Sequence, residues 1–108
     1  MNVKAGDLAR VIFSPMVETP GLAGRIVEVI SPIDGDFIHT HPGGDLIWRR
    51  DGNAAWVCRA RDPLPLHIIS GHRKDDIVFV QERAIYDAVL RPIGGVPLTE
   101  DIENEVAA

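Results

Sequence analysis

The sequence predicts a mainly β domain, and three observations carry that prediction. Proline and glycine interrupt the chain at short intervals, at Pro15, Pro20-Gly21, Gly24, Pro32, Gly35, Pro42-Gly43-Gly44, Gly52, Pro63, Pro65, Gly71, Pro92 and Gly94-Gly95. Few helices of ordinary length fit between such breaks, whereas short strands with frequent turns do. The apolar segments between the breaks alternate in polarity or are β-branched, as half-buried strands require. The length of 108 residues suffices for one domain and is too short for two. A small barrel or sandwich of about five or six strands is the expected architecture.

The elements follow in order. Residues 8–13 alternate, with Leu8, Arg10 and Ile12 on one side and Ala9, Val11 and Phe13 on the other. Residues 25–30 are β-branched around Arg25 and Glu28, and Pro32 stops them. Residues 46–50 and 54–59 flank Asp51-Gly52-Asn53, and an Asp-Gly pair between two such runs predicts a hairpin, because glycine supplies the positive φ that the turn demands. Residues 76–81 form another strand with few charges to blunt it if it lies at a sheet edge, which leaves self-association open. Residues 82–87 favour one or two helical turns before a short last strand at 89–91. The chain therefore divides into a domain over residues 1–93 and an acidic tail over 94–108, where Leu98, Ile102 and Val106 are spaced for one helical apolar stripe, with a disordered tail as the alternative.

Bulk composition narrows the function classes. A hydrophobic fraction of 45% and a charged fraction of 25% are ordinary for a globular domain. No apolar run approaches the roughly 20 residues of a spanning helix, and the first residues carry no apolar signal core. A cytoplasmic location is expected. The single cysteine, Cys58, admits no intrachain disulfide, and its place in an apolar strand predicts a small buried thiol. The net charge of −5 argues against general binding of nucleic acid, which rewards a basic surface. The charge is uneven, however. Arg49, Arg50, Arg59, Arg61, Arg73 and Lys74 make the centre basic, while Glu100, Asp101, Glu103 and Glu105 make the tail acidic.

The opening, Val3-Lys4-Ala5-Gly6-Asp7-Leu8-Ala9-Arg10-Val11-Ile12, a turn, then Gly21-Leu22-Ala23-Gly24-Arg25-Ile26-Val27-Glu28-Val29, resembles the first hairpin of KOW-type, SH3-like barrels. The expected helical turn before the last strand is similar to theirs as well. The resemblance implies a partly open SH3-like barrel. The KOW members associated with ribosomes and transcription are basic, so their nucleic-acid binding does not carry over to this acidic chain. The run Leu90-Arg91-Pro92-Ile93 with its acidic sequel also resembles small phage and prophage proteins of similar length, which implies a bacterial or phage origin and no particular activity.

Two constellations bear on chemistry. His39-Thr40-His41-Pro42, with Glu28 before it and Asp51 after it, is similar to the zinc isopeptidase pattern of the JAMM type, and two histidines at i and i+2 on a strand share a face. The serine of that pattern is absent, the aspartate is one residue out of place, and the glycine and proline spacing leaves no room for that family's long helices. No phosphate-binding glycine motif and no nucleophile elbow occurs. The second constellation is Trp48, Arg49, Arg50, Trp56, Arg59 and Arg61 around the expected Asp51-Gly52 hairpin. Arginine beside aromatic side chains is the composition of a binding hot spot. The expectation is thus a non-enzymatic module that binds another protein through these residues, with no catalytic residue, metal or cofactor assigned. A metal-dependent hydrolase using the His-x-His pair, and a nucleic-acid binder or mimic, are the alternatives.

Overall fold

The computed structural model describes residues 1–68 and 76–93. Arg73, Lys74 and the acidic tail, with its expected apolar stripe, lie outside the described residues. The protein is mainly β. Seven strands are formed among the described residues: β1 (Leu8–Val11), β2 (Ile26–Pro32), β3 (Phe37–His41), β4 (Gly44–Trp48), β5 (Ala55–His67), β6 (Ile77–Tyr86) and β7 (Leu90–Pro92). Five of them make one antiparallel sheet in the order β6-β5-β2-β1-β7, and β3 and β4 pair separately. The larger sheet is open, with β6 and β7 as its edges. Ile77 and Phe79 are exposed on the β6 edge.

Strict alternation positions the sheet. Ala9 and Val11 of β1 and Val27 and Val29 of β2 point inward and are almost fully buried, while Leu8, Arg10, Ile26 and Glu28 point outward. The inward set joins Trp56, Cys58, Leu64, Ile85 and Leu90 in the main core. Burial pushes the Cys58 thiol up to about 12, so it is the inert packing group that the sequence suggests. A smaller core of Ile33, Ala55, Val57 and Ala84 lies against Phe37 and Trp48 of the β3–β4 hairpin.

Three elements differ from the sequence-based expectation. Asp51-Gly52 does not close a hairpin between β4 and β5. β4 pairs with β3 instead, in a register that runs from Phe37 opposite Trp48 to His41 opposite Gly44, so the tight turn falls at Pro42-Gly43. Asp51 accepts hydrogen bonds from the backbone N–H and the side-chain amide of Asn53, and this local turn carries the chain from one sheet to the other. β5 continues past Pro63 because the pairing with β6 breaks between Arg59 and Leu64 and the bulge absorbs that imino residue, while Pro65 sits beyond the bulge, opposite Phe79 in the resumed ladder. Arg25 holds that bulge, donating to the carbonyls of Asp62 (2.8 Å) and Pro63 (3.2 Å). The third difference is the helical turn. It is a 3-10 turn at Asp87–Val89, immediately before β7, while residues 82–86 complete β6.

Asp87 ties this junction together. Its carboxylate accepts the backbone N–H of Asn2 at both oxygens (3.0 and 2.8 Å), the N–H of Val3 (3.3 Å) and the indole N–H of Trp56 (2.9 Å). Burial alone would raise its pKa. The donors of Asn2, Trp56 and Val3 outweigh burial and hold it below the ordinary carboxylate value. Asp87→Ala leaves these donors without an acceptor and is expected to cost about 3 kcal/mol. A urea titration checks this, and an unchanged midpoint would refute the role given to Asp87.

Candidate binding surface

The six residues predicted to form one patch divide among three places. Trp56 is in the core, 6% exposed, with its indole N–H on Asp87, so it offers no surface. Trp48, at the end of β4, is half-buried and packs edge-to-face on Tyr86 with ring centroids 6.0 Å apart. The Tyr86 hydroxyl donates to the Asp51 carboxylate. Burial first, and the Asp51 hydrogen bond and charge after it, push the Tyr86 phenol up to about 12. Arg49 and Arg50 lie beside this cluster and are occupied locally. Arg49 pairs with Asp36 at 3.1 Å, and Arg50 donates to the Ile33 carbonyl at 3.0 Å with Asp34 at 3.8 Å. Only Arg59 and Arg61 remain, and they stand on the outer face of the large sheet.

His39 does not sit as an open ligand. It is 2% exposed, and its Nε2 accepts the backbone N–H of Ala84 at 3.1 Å, which docks the β3–β4 hairpin against β6. A second hydrogen bond runs to the Leu46 backbone, opposite it on β4. Burial, reinforced by the Arg83 guanidinium, depresses its pKa to about 4 despite that bond. The His41 side chain lies outside what is described. Among the described residues, no group of three or more His, Cys, Asp and Glu side chains is arranged to hold a metal ion.

The outer face of the sheet is built from the outward positions of four strands, read across the ladder. One row runs Arg91, Arg10, Ile26, since Arg10 is in register with both Arg91 and Ile26, and Arg61 lines the same depression as Ile26. The adjacent row runs Ile93, Leu8, Glu28, Arg59, Glu82. In the second row the charges cancel: Arg59 lies 3.5 Å from both Glu28 and Glu82. In the first row every charged member is a cation. None of the ion pairs among the described residues involves Arg10, Arg61 or Arg91, and Arg91 bonds only the carbonyls of Ala88 and Leu90. Leu8 (56% exposed), Ile26 (47%) and Ile93 (41%) stand among these arginines as exposed aliphatic side chains. Two shallow depressions adjoin at Ile26, one lined by Leu8, Glu28, Arg59 and Arg61, the other by Arg10, Arg91, Pro92 and Ile93.

Arg10, Arg91, Leu8 and Ile26 were not in the predicted patch. The alternation of β1 placed Leu8 and Arg10 on one side, but nothing local brings Arg91 beside them; the pairing of the first and last strands does. No protein-family model matches this sequence, and no match to a curated protein or to a solved structure was found. No helix among the described residues is long and apolar enough to cross a membrane.

The pH dependence of His39 can be derived from its surroundings. Its folded pKa of about 4 lies below the ordinary histidine value of 6.5. The unfolded chain therefore binds more protons between those values, and stability is full above about 6.5 and falls as the pH drops towards 4. The loss across that window is about 3 kcal/mol. His39→Leu is expected to be less stable at neutral pH and flatter from pH 6.5 to 4. Denaturant midpoints over that range check it, and a variant profile parallel to the original would refute it.

Proposed function

We propose that this chain is a non-enzymatic protein-binding module with an SH3-like plan, and that its contact surface is the outer sheet face around Ile26. Two features support the SH3-like reading. The strand order β7-β1-β2-β5-β6 joins the last strand to the first, and the single 3-10 turn stands directly before the last strand. On this reading the β3–β4 hairpin is an insertion between the second and third strands of the barrel. The resemblance of Leu90-Arg91-Pro92-Ile93 and the acidic sequel to phage and prophage proteins supports an accessory role in a bacterial or phage-infected cytoplasm.

The observation that carries the binding reading is the row Arg91, Arg10, Ile26 with Arg61 beside it. Exposed aliphatic side chains scattered singly need no explanation. Here three of them are interleaved with arginines that have no carboxylate partner among the described residues. Arginine gives directional hydrogen bonds at an interface, and the aliphatic groups supply area that is favourable to bury. Trp48, Arg49 and Arg50 are satisfied by local partners and are left outside this surface.

Capture of partners on the immobilised full chain tests the assignment. Ile26→Glu and Arg61→Glu are expected to abolish capture, and Arg49→Glu to leave it unchanged. Capture that survives both face substitutions would overturn the surface.

A further inference from the structure

The chemistry of the outer face specifies what it takes. Arg10 and Arg91 are direct cross-strand neighbours on the exposed side of an antiparallel pair. Like charges in that position repel and cost stability, because Cβ atoms of opposed residues are only about 5 Å apart. The one acidic side chain on the outward positions of β1 and β2 is Glu28, and it faces Arg59 rather than the Arg10–Arg91 pair. The row is thus a local concentration of positive charge on a chain whose net charge is −5. Its nearest carboxylates, Glu28 and Glu82, are paired with Arg59, and none of the ion pairs among the described residues reaches Arg10, Arg61 or Arg91.

From this complementarity we infer that the face binds an acidic segment of another protein, whose carboxylates meet Arg10, Arg61 and Arg91 and whose aliphatic side chains lie on Leu8, Ile26 and Ile93. This rests on the binding reading above. Carboxylates fit the planar guanidinium fork, and Arg10 and Arg61 have no side-chain hydrogen bond or ion pair to give up among the described residues. A polypeptide suits the face better than a nucleic acid. Aliphatic groups separate the arginines, no aromatic side chain is present there for base stacking, and Glu28 and Glu82 border the row. The chain's overall negative charge also repels a polyanion.

The test uses the full chain and a fluorescent synthetic peptide of alternating glutamate and leucine. Its lysine-for-glutamate counterpart and a single-stranded oligothymidylate serve as comparisons, with anisotropy as the readout. The acidic peptide is expected to bind, the lysine peptide not to bind, and added salt to weaken the complex. Arg91→Glu replaces the repulsive pair by an attractive one. It is expected to weaken the peptide by about tenfold or more while leaving the melting temperature unchanged or higher, and Arg49→Glu to do neither. Equal binding of the lysine peptide, an Arg91→Glu variant with undiminished affinity, or tighter binding of the oligothymidylate would overturn the inference. So would a full chain that binds the peptide only after Glu100→Gln, Asp101→Asn, Glu103→Gln and Glu105→Gln are introduced together, since its own tail would then be the occupant. If the peptide fails while Ile26→Glu still abolishes partner capture, the acidic partner is refuted and the binding surface stands. If Ile26→Glu also leaves capture intact, both are refuted.

Discussion

The structure depends on one buried carboxylate. Asp87 stands where β6 ends and the chain must turn into β7, and its carboxylate gathers donors from two distant stretches: the N-terminal Asn2 and Val3, and the core Trp56. Its backbone N–H is fixed as well, on the Ala54 carbonyl. A short turn of three residues has little to hold it by itself. Bonding the carboxylate to the strand β5 indole sets the turn on the core, and β7 then emerges in register with β1. The segment before β1 is pinned from the same atoms. The segment that leads into β1 and the strand β7 beside it are therefore both anchored through Asp87.

That arrangement creates the outer face. β7 contributes only three residues to the sheet, yet through it Arg91 arrives opposite Arg10. If β7 were released, β1 would lose one neighbour and the row of arginines its outermost member. A carboxylate in the interior thus determines where an exposed guanidinium stands. The effect is indirect, through backbone register, and no contact links the two side chains.

The alternation of β1 and β2 was legible in the sequence because each strand buries one face, and a slip by one residue would invert it. The first half of β6 and the last strand were legible for the same reason. The β4–β5 pairing was not. Asp51-Gly52 and Pro42-Gly43 are both credible turns locally, and the choice of partner is settled by packing: His39 and Phe37 must lie against β6 and the small core, which turns β3 and β4 onto each other. The Asp-Gly signal was real but serves a link between sheets. Similarly, Pro63 and Pro65 read as breaks because proline lacks a donor, and only the bulge and its Arg25 anchor, nearly forty residues earlier in the chain, let β5 continue. Arg59 and Arg61 were visible as charge. The company they keep was not, because tertiary register assembled it from both ends of the domain.

The surroundings of Trp48 and the row Arg91, Arg10, Ile26 treat charge in opposite ways, and that contrast supports the proposed surface. Near Trp48 the polar groups are matched: Asp51 with Tyr86, Asp36 with Arg49, the Ile33 carbonyl with Arg50. Even buried His39 has an acceptor and a donor role, each satisfied by backbone. A chain that satisfies its polar groups this thoroughly at one site has the means to do so at another, and a single acidic substitution at position 91 would suffice to relieve the Arg10 repulsion. The unrelieved pair lies among exposed aliphatic side chains where β1 pairs with β2 and β7 without a shift of register. On the reading proposed above, a negatively charged partner would relieve that repulsion, and part of the free energy it costs the free protein would be recovered on binding. A surface optimised only for stability would have no reason to keep it.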